Sequence, residues 1–168
     1  NASMLTRERA RSLHAAGLKR INISLDALDE KTFQRVNDVE FPVGRVLQGI
    51  EHAQAAGFDS VKINAVIRRG LNEHSVLHLA DHFRGTGMIL RFIEFMDVGS
   101  TNQWQFDEVV SARQMADIIH AEFPIAPVSP NYRGEVAKRW RYLDGAGEVG
   151  FIASVTEPFC GDCARARL

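Results

Sequence analysis

The residue types best suited to chemistry lie in the last twelve positions of the sequence, EPFCGDCARARL. Cys160 and Cys163 are separated by two residues, and Arg165 and Arg167 follow them directly. Thiolates are soft metal ligands, and the planar guanidinium groups of arginine bind phosphate or carboxylate in bidentate fashion. The segment therefore predicts a metal held by Cys160 and Cys163, with an anion beside it.

The Cys-x2-Cys spacing alone leaves several kinds of site open. A thioredoxin-type redox pair would have to open a helix after a strand, and Pro158 and Phe159 precede the pair here. A zinc site needs two more ligands, and an iron–sulfur cluster needs further thiolates. The sequence has only two cysteines. His74, His78 and His82 share one helix face at ligand spacing, but a solvated face is the simpler interpretation. The cysteine pair therefore predicts part of a metal site.

Three segments predict strands that are polar on one face, although strands of a parallel sheet are usually apolar on both. The alternating polar positions are Asn22, Ser24 and Asp26, then Lys62 and Asn64, then Arg91, with Glu94 and Met96 near the end of the third segment. Alternation places each set on one face. A buried lysine or arginine needs a partner, and Lys62 with Arg91 would suit phosphate oxygens. A solvated polar face of an open sheet is the alternative.

The elements that must position these residues follow a repeated order of helix, glycine and strand. AAGLKRINIS and AAGFDSVKIN lie 40 residues apart, and GTGMILRFIEFM begins a third unit. Helices are predicted from Thr6 to Gly17, over 42–57 and 74–83, and from Ser111 to before Pro124. Residues 137–144 and 148–154 predict a β-hairpin. This pattern indicates an α/β fold, either an open sheet or part of a barrel, with a β-rich C-terminal extension.

Composition and charge indicate an ordinary globular protein. The chain is 45% hydrophobic with a formal net charge of -1, which gives no general attraction to nucleic acid or to an acidic membrane surface. No apolar run approaches the length of a membrane span, and no secretion signal is evident, so a cytoplasmic location is predicted. The first residues, NASMLTRERARSLHAAG, begin just before a helix, and we expect the sequence to be a fragment.

Four motifs together resemble a known family. INISLDAL, VKINAVI, RFIEFMDVG and EPFCGDCARARL, in this order and spacing, resemble molybdenum cofactor biosynthesis protein A, the family of radical S-adenosylmethionine GTP 3',8-cyclases. The resemblance covers essentially the whole chain, and FCxxCxRxRL is its most specific part. It implies an incomplete β/α barrel, predicted here for residues 1–124, and a C-terminal extension that caps the open side, predicted for residues 125–168.

The resemblance also implies the chemistry. The family uses two [4Fe–4S] clusters and S-adenosylmethionine to generate a 5'-deoxyadenosyl radical. That radical removes a hydrogen from the ribose of GTP, and C3' then bonds to C8 of the base. The product, a cyclic dihydroguanosine triphosphate, passes to a downstream cyclic pyranopterin synthase. A homodimer is a further expectation.

By matched position, the resemblance assigns roles to individual residues. Ser24 and Met96 correspond to contacts with S-adenosylmethionine, and Lys62 to a contact with GTP. Arg165 and Arg167 also correspond to GTP contacts, and we add Arg91 from the polar stripe as a triphosphate contact. Cys160 and Cys163 correspond to two of the three ligands of the second cluster.

This sequence departs from the family pattern at three points. It lacks the Cys-x3-Cys-x2-Cys loop of the first cluster and the third C-terminal cysteine, and NAS stands at its beginning where the family usually has TNG. We therefore expect the chain by itself to be inactive. Two alternatives stay open: a related radical enzyme that modifies peptides and carries an auxiliary cluster, and a non-catalytic metal- or nucleotide-binding module.

Overall fold

The computed structural model describes residues 1–96 and 106–157, and helices and strands alternate along most of this length. The helices are α1 Arg7–Ala15, α2 Glu30–Asn37, α3 Val43–Ala55, α4 Ser75–Phe83 and α5 Ala112–Glu122, with a short 3-10 turn at Phe106–Glu108. The strands are β1 Arg20–Ser24, β2 Ser60–Ile67, β3 Ile89–Glu94, β4 Ile125–Pro127, β5 Lys138–Tyr142 and β6 Glu148–Ile152.

The six strands form one mixed sheet in the order β1-β2-β3-β6-β5-β4. β1, β2, β3 and β6 are parallel neighbours, whereas β5 runs antiparallel to both β6 and β4. The α/β class, the three parallel strands and the β5–β6 hairpin are therefore confirmed. The hairpin extends the sheet formed by the first three strands, because β6 pairs directly with β3.

The predicted helices form close to the expected positions. The side chain of Thr6 caps α1, and Ser111 caps α5 in a reciprocal capping box with Gln114, as their residue types favour. Three elements were not predicted, namely α2, the 3-10 turn and β4. α2 begins after the capping residue Asp29 and buries only Thr32 and Phe33, and β4 is three residues long.

The alternation along the strands separates an apolar face from a polar one. In β2 every second residue, namely Val61, Ile63, Ala65 and Ile67, is buried, whereas Lys62 and Asn64 between them are only half-buried. The buried side chains join those of the helices in a single apolar core, which includes Phe33, Val46, Leu79, Phe92 and Met115. The helices therefore cover one face of the sheet, and Asn22, Lys62, Asn64 and Arg91 share the other, as predicted. Glu94, predicted with the same set, is the register partner of the buried Ile67 and so lies on the apolar face, because strand positions three apart point to opposite sides.

A buried polar group fixes the carboxyl ends of β1 and β2. Asp26 accepts a hydrogen bond from the backbone N–H of Val66 at 2.8 Å. The side chain of Asn72, which is fully buried, donates to the carbonyl oxygens of both Asp26 and Val66 at 2.9 Å. Burial raises the pKa of Asp26, and the bond from Val66 opposes that rise. These contacts fix the positions of the two strand ends relative to each other, at the border of the polar face.

The predicted division into residues 1–124 and 125–168 stays a prediction. Both ranges contribute strands to the same sheet. None of the helices in the part of the chain that the structure describes is long and apolar enough to cross a membrane.

The close approach of Gly49 to the backbone of Ala2 allows a test of the packing at the amino terminus. A Cβ atom added at Gly49, in α3, would lie 2.1 Å from the carbonyl oxygen of the buried residue Ala2. Since backbone must move to make room, Gly49→Ala should lower the free energy of unfolding by about 1–3 kcal/mol, the usual cost of overpacking. Urea unfolding followed by circular dichroism measures this change.

Gly44 is the matched control in the same helix. A Cβ atom there would meet nothing within 4 Å. Gly44→Ala should stabilise the protein by up to about 1 kcal/mol, because alanine loses less backbone entropy than glycine in a helix. Equal changes for the two variants would contradict the contact between Gly49 and Ala2.

Candidate functional site

A cavity of about 620 Å³ lies on the polar face of the sheet. This volume is within the range of about 300–1,000 Å³ that pockets for small molecules and cofactors occupy. Its lining includes four of the polar stripe residues, namely Asn22, Lys62, Asn64 and Arg91, together with Met96. The structure therefore brings together residues that the sequence places on three separate strands.

Arg91 organises the floor of this cavity. Its Nε donates to Oδ1 of Asn64 at 2.9 Å, and its Nη2 donates to Oδ1 of Asn22 at 3.2 Å. Arg91 and Asn64 are register partners, and Asn22 pairs in register with Lys62, so the four residues form a compact block across β1, β2 and β3. Arg91 is only 7% exposed. The two asparagine oxygens orient its guanidinium and satisfy part of its hydrogen-bonding capacity.

Gly150 in β6 makes room for Arg91. It is the register partner of Arg91 on one side and of Arg139 on the other. A Cβ atom at Gly150 would lie 3.1 Å from Cγ of Arg91, which is tighter than ordinary van der Waals contact. The missing side chain therefore allows the stem of Arg91 to lie against β6.

Another wall of the cavity carries a second arginine, Arg139. Both Nε and Nη2 of Arg139 donate to the carboxylate of Glu148, with distances of 2.7–3.1 Å, and Nη1 donates to the carbonyl of Ser129 at 2.9 Å. The hydrogen bonds to Glu148 raise the pKa of Arg139. Residues Asn131 and Glu135 also line this wall. None of these was predicted, although the alternation in KRWRY and EVGFI places Arg139 and Glu148 on one face of the hairpin.

Glu94, at the end of β3, is a buried carboxylate that borders the same cavity. Its two oxygens accept bonds from the backbone N–H groups of Ala112, Val155 and Thr156 at 2.8–2.9 Å, and from the hydroxyl of Thr156. Burial alone would raise the pKa of Glu94, but these hydrogen bonds outweigh it and hold the pKa below its usual value. The carboxylate of Glu94 therefore connects the end of β3 with the beginning of α5 and with the residues after β6.

The two residues predicted to contact S-adenosylmethionine take different positions. Met96 is 48% exposed and lines the cavity. Ser24 is exposed at the end of β1 and is the register partner of Asn64, but it is not part of the cavity lining. Apolar side chains such as Val66, Ile93 and Ile152 lie along the same cavity and would suit the faces of a nucleobase.

The predicted metal ligands Cys160 and Cys163 and the predicted anion contacts Arg165 and Arg167 lie outside the described residues. Within residues 1–96 and 106–157, no group of three histidine, cysteine, aspartate or glutamate side chains is arranged to hold a metal ion. His74 instead contacts the hydroxyl of Thr32 at 3.3 Å and lies 3.9 Å from the carboxylate of Asp29. The described residues therefore contain the polar floor of the cavity and leave the metal assignment a prediction.

Two family models match the chain, and together they cover almost all of it. The model described as Radical SAM superfamily matches residues 1–83, and the model described as Molybdenum Cofactor Synthesis C matches residues 88–168. The parallel strands β1 and β2, with helices between them, agree with the first of these. The first half of the chain is therefore similar to the radical SAM superfamily, and the second half is similar to the molybdenum cofactor synthesis region.

Curated relatives narrow the comparison to one named enzyme. The chain is 52% identical over 168 residues to a protein of Xanthomonas campestris pv. campestris named GTP 3',8-cyclase. It is equally similar, at 52% over 168 residues, to a GTP 3',8-cyclase of Acidothermus cellulolyticus, and 42% identical over 165 residues to one of Staphylococcus epidermidis. The predicted resemblance to this family is thereby confirmed.

These relatives are about twice as long as the chain. The matches extend over 100% of this chain but only 49% of the Xanthomonas protein and 46% of the Acidothermus protein. The chain thus spans about half the length of the curated relatives that it matches.

Proposed function

We propose that the protein to which this sequence belongs is a GTP 3',8-cyclase of molybdenum cofactor biosynthesis. The observation that carries the proposal is the block of Asn22, Lys62, Asn64 and Arg91 on the floor of a cavity of about 620 Å³. A polar, cationic floor beside apolar walls suits a nucleoside triphosphate. The names of the relatives, which match along the whole chain, supply the reaction.

The chain's own residues take the following roles in this proposal. Lys62 and Arg91 hold the triphosphate of GTP, together with Arg165 and Arg167 of the C-terminal segment. Ser24 and Met96 contact S-adenosylmethionine, and Cys160 and Cys163 ligate the second of two [4Fe–4S] clusters. Held at its phosphates, the nucleotide has its ribose and base fixed in one orientation. Such positioning is a major source of rate acceleration in reactions that join two parts of one molecule.

When bound, S-adenosylmethionine and the clusters would supply a carbon-centred radical able to remove one hydrogen from the ribose. The product is (8S)-3',8-cyclo-7,8-dihydroguanosine 5'-triphosphate, in which C3' is bonded to C8 of the base. The apolar side chains Val66, Ile93 and Ile152 contribute by keeping water away from the reacting part of the nucleotide. A homodimer, a cytoplasmic location and transfer of the product to a cyclic pyranopterin synthase are further parts of the proposal.

Removal of one charge tests the phosphate assignment. In a protein that includes the half absent from this sequence, Lys62→Gln should weaken GTP binding by about tenfold, since a hydrogen bond to a charged group contributes about 1.5–3 kcal/mol. Binding of guanosine, which has no phosphate, should change by less than about twofold. Anaerobic equilibrium dialysis with both ligands measures the two constants.

Equal loss of affinity for GTP and guanosine would contradict a phosphate role for Lys62. The unmodified protein, reconstituted with iron and sulfide and supplied with S-adenosylmethionine, reductant and GTP, should also form 5'-deoxyadenosine and the cyclised nucleotide. Radical cleavage that occurs with a peptide substrate, combined with no binding of GTP, would favour the peptide-modifying alternative. Zinc without iron would favour a non-catalytic module.

A further inference from the structure

Among the described residues, Glu94 has the carboxylate that accepts the most hydrogen bonds. Neither the polar stripe nor the family motifs give it a role. It is 1% exposed, which is exceptional for a glutamate whose carboxylate is held by backbone N–H groups and a hydroxyl. A buried carboxylate is tolerated only when hydrogen bonds replace its hydration. Here four donors do so, and all four belong to other segments of the chain.

The donors connect three segments at one edge of the sheet. The N–H of Ala112 is the first of α5, so the negative charge also faces the positive end of that helix. The N–H groups of Val155 and Thr156 lie shortly beyond β6, and the hydroxyl of Ser154 donates to the carbonyl oxygen of Glu94 at 3.0 Å. Residues 154–156 are therefore tied to the end of β3 through both the backbone and the side chain of one residue.

The Glu94 contact lies close in the sequence to two predicted site residues. Met96, which lines the cavity, follows Glu94 by two residues, and Cys160 follows Thr156 by four. The contact therefore fixes the stretch of chain that directly precedes the cysteine pair in the sequence.

We propose that Glu94 is a positioning residue that holds residues 154–156, the stretch leading into the cysteine pair, against the end of β3 and the beginning of α5. The importance of this role for activity depends on the proposed function, since the segment after Thr156 carries the predicted cluster ligands and two predicted triphosphate contacts. Both carboxylate oxygens of Glu94 are already bonded to donors of the chain itself. It acts through the segment that it orients.

The substitution Glu94→Gln tests the contact directly, in a protein that includes the half absent from this sequence. Glutamine keeps one acceptor oxygen but places an N–H₂ group against backbone donors that need an acceptor. Amide hydrogen exchange at Val155 and Thr156, measured near neutral pH, should accelerate at least tenfold. Exchange in β1 and β2 should stay within about threefold of the unmodified protein.

Thr156→Val provides a milder variant that removes one donor from the same cluster. The double variant should be less impaired than the sum of the two single changes predicts, because both remove parts of one network. Asp117→Asn, on the exposed side of α5, is the matched control. Asp117 pairs with Arg113 on the helix surface, so its substitution should leave exchange at Thr156 unchanged. Additive effects of Glu94→Gln and Thr156→Val on exchange would show that the contact between the two residues is not the cause of the faster exchange.

A kinetic split separates positioning from a general loss of structure. The KM for GTP should rise at least tenfold in Glu94→Gln, whereas cleavage of S-adenosylmethionine in the absence of GTP should stay within about threefold. Equal loss of both activities, or unchanged exchange at Val155 and Thr156, would overturn the proposal. If the unmodified protein does not bind GTP, the proposed function fails, but the exchange measurement still decides whether Glu94 holds residues 154–156.

Discussion

Arg91→Met should weaken the binding of GTP by about a hundredfold in the protein that carries this sequence. Methionine has a similar length and no charge, so the change removes the guanidinium that lies across Asn22 and Asn64. A hundredfold change corresponds to about 2.7 kcal/mol, which is within the range of one or two hydrogen bonds to a charged group. Isothermal titration calorimetry under anaerobic conditions, with GTP and with guanosine, measures the effect.

Two further variants separate the charge of Arg91 from its position. Arg91→Lys keeps a positive charge but loses the planar fork, so it should recover only part of the affinity. Gly150→Val keeps the arginine and presses on its stem, because even a Cβ atom at Gly150 lies 3.1 Å from Cγ of Arg91. We expect Gly150→Val to weaken GTP binding about tenfold. Full affinity in both Arg91→Met and Gly150→Val would contradict the assignment of Arg91 to the triphosphate.

Unfolding measurements are needed beside the binding data. Removing Arg91 leaves the oxygens of Asn22 and Asn64 without that donor, which costs stability as well as affinity. Arg91 is buried, so its removal also leaves space beside Gly150. The binding comparison is therefore made at a temperature at which urea titration shows each variant to be fully folded.

The polar floor of the cavity was predictable because its physical cause is local. Strand residues alternate between two faces, so Asn22, Lys62, Asn64 and Arg91 necessarily share one face once the three strands are parallel. The repeated order of helix, glycine and strand made parallel strands the expected arrangement. The caps of α1 and α5 were predictable for the same reason, since Thr6 and Ser111 bond to N–H groups only three residues away.

The contributions of the C-terminal hairpin were not predictable from local pattern. The sequence indicates that β5 and β6 pair, but it does not say that β6 also pairs with β3 and so brings Glu148 and Gly150 to the cavity. Such pairing depends on the packing of the whole sheet. The burial of Glu94 has the same origin, because its donors lie 18 and about 60 positions away in the chain. A short helix such as α2, with few apolar residues, gives too weak a periodic signal to be recognised.

The 168-residue polypeptide by itself should bind no stable [4Fe–4S] cluster and should form no 5'-deoxyadenosine. It contains two cysteines, whereas such a cluster normally has three or four protein thiolates. The described residues offer no group of three side chains that would replace the missing ligands. Without a reducible cluster, no electron is available to cleave S-adenosylmethionine. Anaerobic reconstitution with iron and sulfide, followed by iron analysis and an assay for 5'-deoxyadenosine under strong reductant, tests both statements.

Two controls make the result interpretable. The double variant Cys160→Ser and Cys163→Ser should retain as little iron as the unmodified chain, because two thiolates alone give only weak and non-specific binding. A protein that also contains the missing half should acquire iron under the same conditions and should form 5'-deoxyadenosine. About four irons per 168-residue chain, lost when both cysteines are replaced, would show that Cys160 and Cys163 suffice with ligands from outside the polypeptide. Any catalytic 5'-deoxyadenosine from the short chain would contradict the need for a second set of thiolates.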